Sequence, residues 1–150
     1  TQSPQEAAEV VRIVRDLLGR PWTDVVDDVA DRPRPLAQTD IIVVTPYNAQ
    51  QVMVERALAD AGYHDVPVGT VDRFQGQEAA VSIVSLAASS GKDAPRGLEF
   101  LLLQNRLNVA ISRAKVAAYL LYAPGLLDDL PRTPDGVARL SAFARLVGVR

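Results

Sequence analysis

The chain has 150 residues, 48% hydrophobic and 23% charged, with a formal net charge of −2. That composition fits one globular domain with a single core, and the near-neutral charge argues against a large basic footprint for nucleic acid. The chain has no cysteine, which excludes disulfides and thiolate metal sites. No apolar run approaches the roughly eighteen residues of a membrane span, and no signal peptide opens the chain, so a cytoplasmic protein without membrane contact is expected.

Taken in chain order, Ser3-Pro4-Gln5-Glu6 is a capping box with proline at the first helical position. Ala7, Val10, Val11, Val14, Leu17 and Leu18 follow at helical spacing, and Gly19 ends the helix. Residues 20–39, with prolines at 21, 33 and 35 and several aspartates, read as an exposed loop. Trp22 reads as its partly buried anchor and the aspartates as a solvated face. Ile41–Thr45 predicts a buried strand, and Gln50–Ala61 a helix with Val54, Leu58 and Ala61 inward, stopped by Gly62. His64, the only histidine, falls in a turn and reads as structural.

A short strand is expected around Val66–Thr70, and Val81, Ile83, Val84 and Leu86 predict a strand buried on both faces. Between them Asp72-Arg73-Phe74-Gln75-Gly76-Gln77-Glu78 breaks every periodicity. Two carboxylates, two amides, an arginine and a glycine are poor packing material, but a rigid sheet can aim such groups at a ligand. Phe74 alone reads as core. Gly91-Lys92 is no phosphate loop, because Leu86 stands where that motif needs glycine and Asp93 where it needs Ser or Thr. Arg106 and Arg113, seven residues apart, project from nearly one helical face, and Val116–Tyr122 predicts the next strand. Thr133-Pro134 opens a final helix within residues 131–150. Strands alternating with helices predict an α/β fold with a mostly parallel sheet and helices on both faces. Ligands of such sheets bind beyond strand carboxyl ends, and the polar loops are expected at places of that kind.

The order TPYNAQ (45–50), VDRFQGQE (71–78), NRLNVAISRAK (105–115) resembles the last three motifs of superfamily 1 helicases. The branch is the one containing the nonsense-mediated-decay helicase and the Okazaki-fragment nuclease-helicase. The resemblance covers roughly residues 4–125 and implies that residues 1–150 form one RecA-like domain, the second motor domain of such a helicase. It implies ATP and Mg2+ as cofactors of the full-length protein. The implied partners are the first RecA-like motor domain and single-stranded DNA or RNA. Arg113 matches the arginine finger and Arg106 the first arginine of its motif; Gln75, Gly76 and Glu78 match nucleotide-binding positions. Thr45, Pro46, Tyr47, Thr70 and Asp72 resemble positions lining the nucleic-acid track, although Tyr47 reads equally well as a packed tyrosine. Ser112 stands where the family often has threonine. The wording FLLLQNRLNVAISRAK and the C-terminal tail look most like bacterial proteins in which the helicase follows a RecB-like nuclease domain. No GxxxxGK[ST] occurs in these residues, nor an acidic pair after a strand to hold magnesium, so the chain alone is expected to be inactive. The alternative is a non-catalytic module that binds nucleic acid or protein on the same fold.

Overall fold

A computed structural model describes residues 3–26, 29–30, 32–74, 77–87 and 114–121. Helix α1 spans Pro4–Leu17, with Ser3 at its N-cap accepting from the Glu6 N–H at 3.2 Å. The other half of the expected capping box does not form. The Glu6 carboxylate turns into the fold instead of back to the Ser3 N–H, and the Gln50 Oε1 takes that N–H at 2.7 Å. The inward face of α1 (Ala7, Val10, Ile13, Val14, Leu17) joins the core, and Gly19, at φ +87, turns the chain out of the helix as only glycine does without strain.

The described residues of 20–39 are largely exposed, as their composition predicts, but they are not all loop. They hold two short antiparallel pairings: β1 (Pro21–Trp22) with β4 (Arg34–Pro35), and β2 (Val25–Val26) with β3 (Val29–Ala30). The prolines misled the reading, because β1 and β4 are the kind of short, unsupported strands in which proline is tolerated. Trp22 anchors this arm: its ring is buried in the main core and lies 4.6 Å from the Arg34 guanidinium. Arg34 grips Asp40 through two bonds of 2.9 and 3.0 Å. Partial burial would raise the Asp40 carboxyl, but Arg34 and the Ala37 N–H outweigh it and hold it below its ordinary value.

The main sheet has the order β6-β5-β7-β8: β5 is Ile41–Val44, β6 Val68–Gly69, β7 Ala79–Ser85 and β8 Ala114–Leu121. Every neighbour pair in it is parallel. Every residue of β5 and β7 is buried, which explains the apolar run of β5 and the mainly apolar one of β7, where Ser82 and Ser85 are buried polar members. Helix α2 (Asn48–Asp60) links β5 to β6, and the chain then passes back across β5 to reach β7. The direction of winding therefore reverses between β5 and β7, the place where open parallel sheets receive ligands. α1 packs on α2 and touches β7, while α2 touches β6, so both cover one face. The helices expected around residues 105–113 and 133–147 lie outside the described residues. No described helix is long and apolar enough to cross a membrane.

Candidate functional site

The polar motifs fall at opposite ends of the sheet. The expectation that all of them gather near strand carboxyl ends holds for TPYNAQ and for the start of VDRFQGQE. It fails for the end of that motif and for the end of NRLNVAISRAK. The physical reason is parallel connection: a loop leaving the carboxyl end of β6 must return to the amino end of β7. β7 has seven residues, so at about 3.3 Å per residue the two ends stand roughly 20 Å apart.

At the carboxyl ends, Thr45 follows β5 and its N–H donates to the Gly69 carbonyl at 3.0 Å, which brings Thr70 beside it. Thr45 is fully buried, and its hydroxyl accepts the Tyr47 N–H at 3.4 Å. Tyr47 forms the N-cap of α2 but supplies no side-chain cap. Its ring is buried, its enclosed hydroxyl has no hydrogen-bond partner among the described residues, and desolvation pushes the phenol up to about 12. Pro46 is half-buried between them. Residues Val71–Phe74 make a 3-10 turn in which Phe74 is buried, as expected; the Asp72 side chain lies outside the described atoms. Arg73 crosses the face of Gly69 and donates to the Val68 carbonyl on the outer edge of β6. A Cβ on Gly69 would run into the Arg73 stem, so a larger residue there requires the exposed Arg73 side chain to move.

Beneath this surface lies a polar network that the sequence reading missed. The Gln50 amide donates to the Ser3 carbonyl at 3.1 Å and to the Ser85 hydroxyl at 3.2 Å. Ser85 donates onward to Glu6 at 2.8 Å, and the Ala87 N–H reaches the same Glu6 oxygen at 3.0 Å. Gln50 and Ser85 are fully buried and Glu6 nearly so. Burial raises the Glu6 carboxyl above its ordinary value, partly opposed by the Ala87 and Ser85 hydrogen bonds. Ala87, at φ +57, is the only described non-glycine residue with positive φ, a conformation costing about 1–2 kcal/mol that its tether to Glu6 helps to hold. The network thus joins the first turns of both helices to the exit of β7. One signal could have revealed it: Gln50 stands four residues before Val54 and eight before Leu58, on the inner stripe of α2.

At the amino ends, Glu78 precedes β7 and is well exposed, with Lys115 beside it at 3.7 Å. Lys115 also pairs with Asp24 of the arm at 3.0 Å, and that hydrogen bond raises its ammonium above the ordinary value. Gln75, Gly76, Arg106 and Arg113 lie outside the described residues; Arg113 immediately precedes Ala114, the first residue of β8. Among the described residues no group of three His, Cys, Asp or Glu could hold a metal ion, so His64 belongs to none.

A parallel sheet wound about a β5/β7 switch point, with polar loops at both ends, defines an α/β domain of RecA-like type. The sequence places it further: the chain belongs to the AAA domain family, whose signature matches residues 1–122. It is similar to the DNA polymerase alpha-associated DNA helicase A of Schizosaccharomyces pombe, 44% identical over 80 residues, which cover 53% of this chain and 12% of that one. The RNA helicase Mov10l1 of Mus musculus is 34% identical over 128 residues, 83% of this chain and 10% of the relative. The DNA replication ATP-dependent helicase/nuclease DNA2 of Bos taurus is 38% identical over 96 residues, 64% of this chain and 9% of the relative. The chain spans about a tenth of the length of these curated relatives. It is an AAA domain of the kind these helicases carry.

Proposed function

We propose that this chain is the second motor domain of an ATP-dependent superfamily 1 helicase. The observation that carries the reading is the split of its motifs between two ends of one sheet. A motor must hold a nucleotide and a strand at separate places and couple them through something rigid, and a sheet whose strands β5 and β7 are wholly buried is rigid. The carboxyl end, with Thr45, Pro46, Tyr47, Thr70 and Asp72, takes the single strand. Phosphates there meet the unpaired N–H groups of the first turn of α2, without sequence readout. The amino end takes the nucleotide. Glu78 accepts from a ribose hydroxyl, Gln75 and Gly76 lie against the nucleotide, and Arg113, supported by Arg106, stabilises charge on the transferred γ-phosphoryl group. Arginine suits that role because its planar fork contacts two oxygens and stays charged. The sequence holds no GxxxxGK[ST], so the phosphate loop and the magnesium site are assigned to a first motor domain. The chain alone then turns over no ATP. Similarity to relatives named as DNA helicases and as an RNA helicase leaves the strand as either nucleic acid. A RecB-like nuclease domain remains a candidate neighbour in the whole protein.

The test is Arg113→Ala in the whole helicase. Turnover should fall by about 10³ to 10⁵, the range of arginine fingers elsewhere, with melting temperature and single-strand affinity nearly unchanged. Arg113→Lys should restore little. Turnover that survives within about tenfold, a barrier change of only about 1.4 kcal/mol, would show that Arg113 is not the finger. Strand binding with no ATP turnover in the unaltered whole protein would favour the non-catalytic module.

A further inference from the structure

The Asp24–Lys115–Glu78 cluster joins three parts of the chain that are far apart in sequence. Asp24 sits between β1 and β2 of the arm, Glu78 enters β7 and Lys115 is the second residue of β8. The register explains why Lys115 reaches both carboxylates. Ala79 pairs with Ala114 and Val81 with Ala117, so β7 advances two residues while β8 advances three. The extra residue is a bulge at Lys115–Val116, and both side chains there face solvent. Bulges re-aim side chains and are enriched beside functional sites. This one turns Lys115 toward the entrance of β7 instead of leaving it on a flat ladder.

Stability is a poor reason for such a cluster. The Lys115 side chain is 33% accessible and that of Glu78 59%, and ion pairs so exposed contribute about 0–1 kcal/mol. Its geometry suits another task. The Lys115 ammonium lies 3.7 Å from the Oε2 of Glu78. An ammonium has three donors, so it can hold Asp24 and Glu78 together. Asp24 takes the shorter contact, 3.0 Å against 3.7 Å, which keeps Lys115 from collapsing onto Glu78. A carboxylate restrained in this way loses less side-chain entropy when it accepts a ligand hydroxyl. Trp22, buried in the core two residues before Asp24, fixes the base of the arm from which Asp24 reaches.

We propose that Lys115 is a positioning residue that presents the Glu78 carboxylate to the ribose of a nucleoside triphosphate, and that Asp24 sets where Lys115 stands. The arm between α1 and β5 is then a lever on nucleotide affinity. This rests on the reading of the amino end as the nucleotide side.

The experiment compares ATP with 2′,3′-dideoxy-ATP as substrates of the whole helicase. Glu78→Ala should raise KM for ATP about tenfold or more, the effect of losing a hydrogen bond to a charged group, and should move KM for the dideoxy analogue little. Lys115→Met should do the same to a smaller extent, about three- to tenfold, with the effect on KM and not on kcat. Lys115→Arg should restore most of the discrimination, and Asp24→Asn should lower it in the same direction. A purely structural lysine would move both nucleotides equally, and that result overturns the proposal. So does a Lys115→Met protein with full ribose discrimination while Glu78→Ala has lost it; in that case the nucleotide reading of Glu78 survives. If Glu78→Ala itself leaves the discrimination intact, the reading of the amino end falls, and the proposal with it.

Discussion

Beneath the carboxyl end of the sheet lies a set of polar groups buried and bonded to one another; at the amino end the described polar groups are exposed and ionic. Gln50, Ser85 and Glu6 share a dry network in which each bond fixes the next, while Asp24, Lys115 and Glu78 meet in partial contact with water. The two kinds of interaction respond differently to change. Breaking one member of a buried network leaves its partners unsatisfied, at about 1–3 kcal/mol for each orphaned group. Breaking an exposed pair costs little, because water and salt already screen it. A sheet built this way keeps one end in a fixed shape and leaves the other free to adjust when a ligand arrives.

The strongest way to break the comparison is at Glu6. Glu6→Ala orphans the Ser85 hydroxyl and the Ala87 N–H together. It should cost roughly 2–6 kcal/mol, twice the single-group penalty, read as a fall in melting temperature and in the denaturant midpoint. Glu6→Gln keeps an acceptor oxygen and should be tolerated. The two variants also carry a pH test. The Glu6 carboxyl is raised from its ordinary 4.5, chiefly by burial. The folded state therefore holds its proton more tightly than the unfolded state. Its contribution to stability is fully present below pH 4.5 and is lost as pH rises through the folded value. Glu6→Gln should flatten the stability profile in that window. An unaltered slope would mean that Glu6 titrates as an exposed carboxylate and that the network is not dry.

Much of the strand and helix pattern was legible in the sequence, because period and burial agree there. β5 is a continuous apolar run and β7 a mainly apolar one, α1 has a clean helical stripe, and the motif loops announce themselves by breaking all periodicity. The arm was not legible. Its prolines and aspartates have loop chemistry, and nothing local predicts that Pro21 pairs with Pro35 or that Trp22 enters the core. Glu6 was misassigned for a related reason. Its spacing from Ser3 satisfies a local rule, but the tertiary fold offers it better partners 79 and 81 residues away. Which end of the sheet each motif occupies could be worked out only once the strands were known to be parallel and in the order β6-β5-β7-β8.

A smaller effect is expected where the two ends are linked, at the loop that leaves β6. Gly69→Val places a branched side chain where the Arg73 stem now crosses, with even a single Cβ only 2.4 Å from Cδ. Overpacking of this kind costs about 1–3 kcal/mol. The displaced Arg73 also uncovers the Val68 carbonyl on the outer edge of β6. Melting temperature should drop, and light scattering should show a greater tendency to self-associate, since a bare strand edge is a template for pairing. If Gly69→Val melts like the unaltered chain, Arg73 can leave without cost and the loop is not clamped.

The smallest effect is expected at Tyr47, and it bears on whether the carboxyl end is complete at rest. Its hydroxyl is buried yet makes no hydrogen bond among the described residues, and burial holds the phenol at about 12, so it remains a neutral donor across the working pH range. An enclosed donor without a partner is a standing cost in the free protein. Tyr47→Phe removes that donor and keeps the packed ring, so stability should stay level or rise by no more than about 1 kcal/mol. Single-strand affinity of the whole helicase should nonetheless fall by roughly two- to tenfold, the worth of one ordinary hydrogen bond, if the hydroxyl finds its acceptor in a bound phosphate or base. The opposite pattern separates the two readings of this residue. Should Tyr47→Phe lower the melting temperature and leave strand affinity untouched, the hydroxyl is already satisfied in the free protein and Tyr47 is packing alone. The carboxyl end would then contact the strand only through backbone N–H groups and exposed side chains.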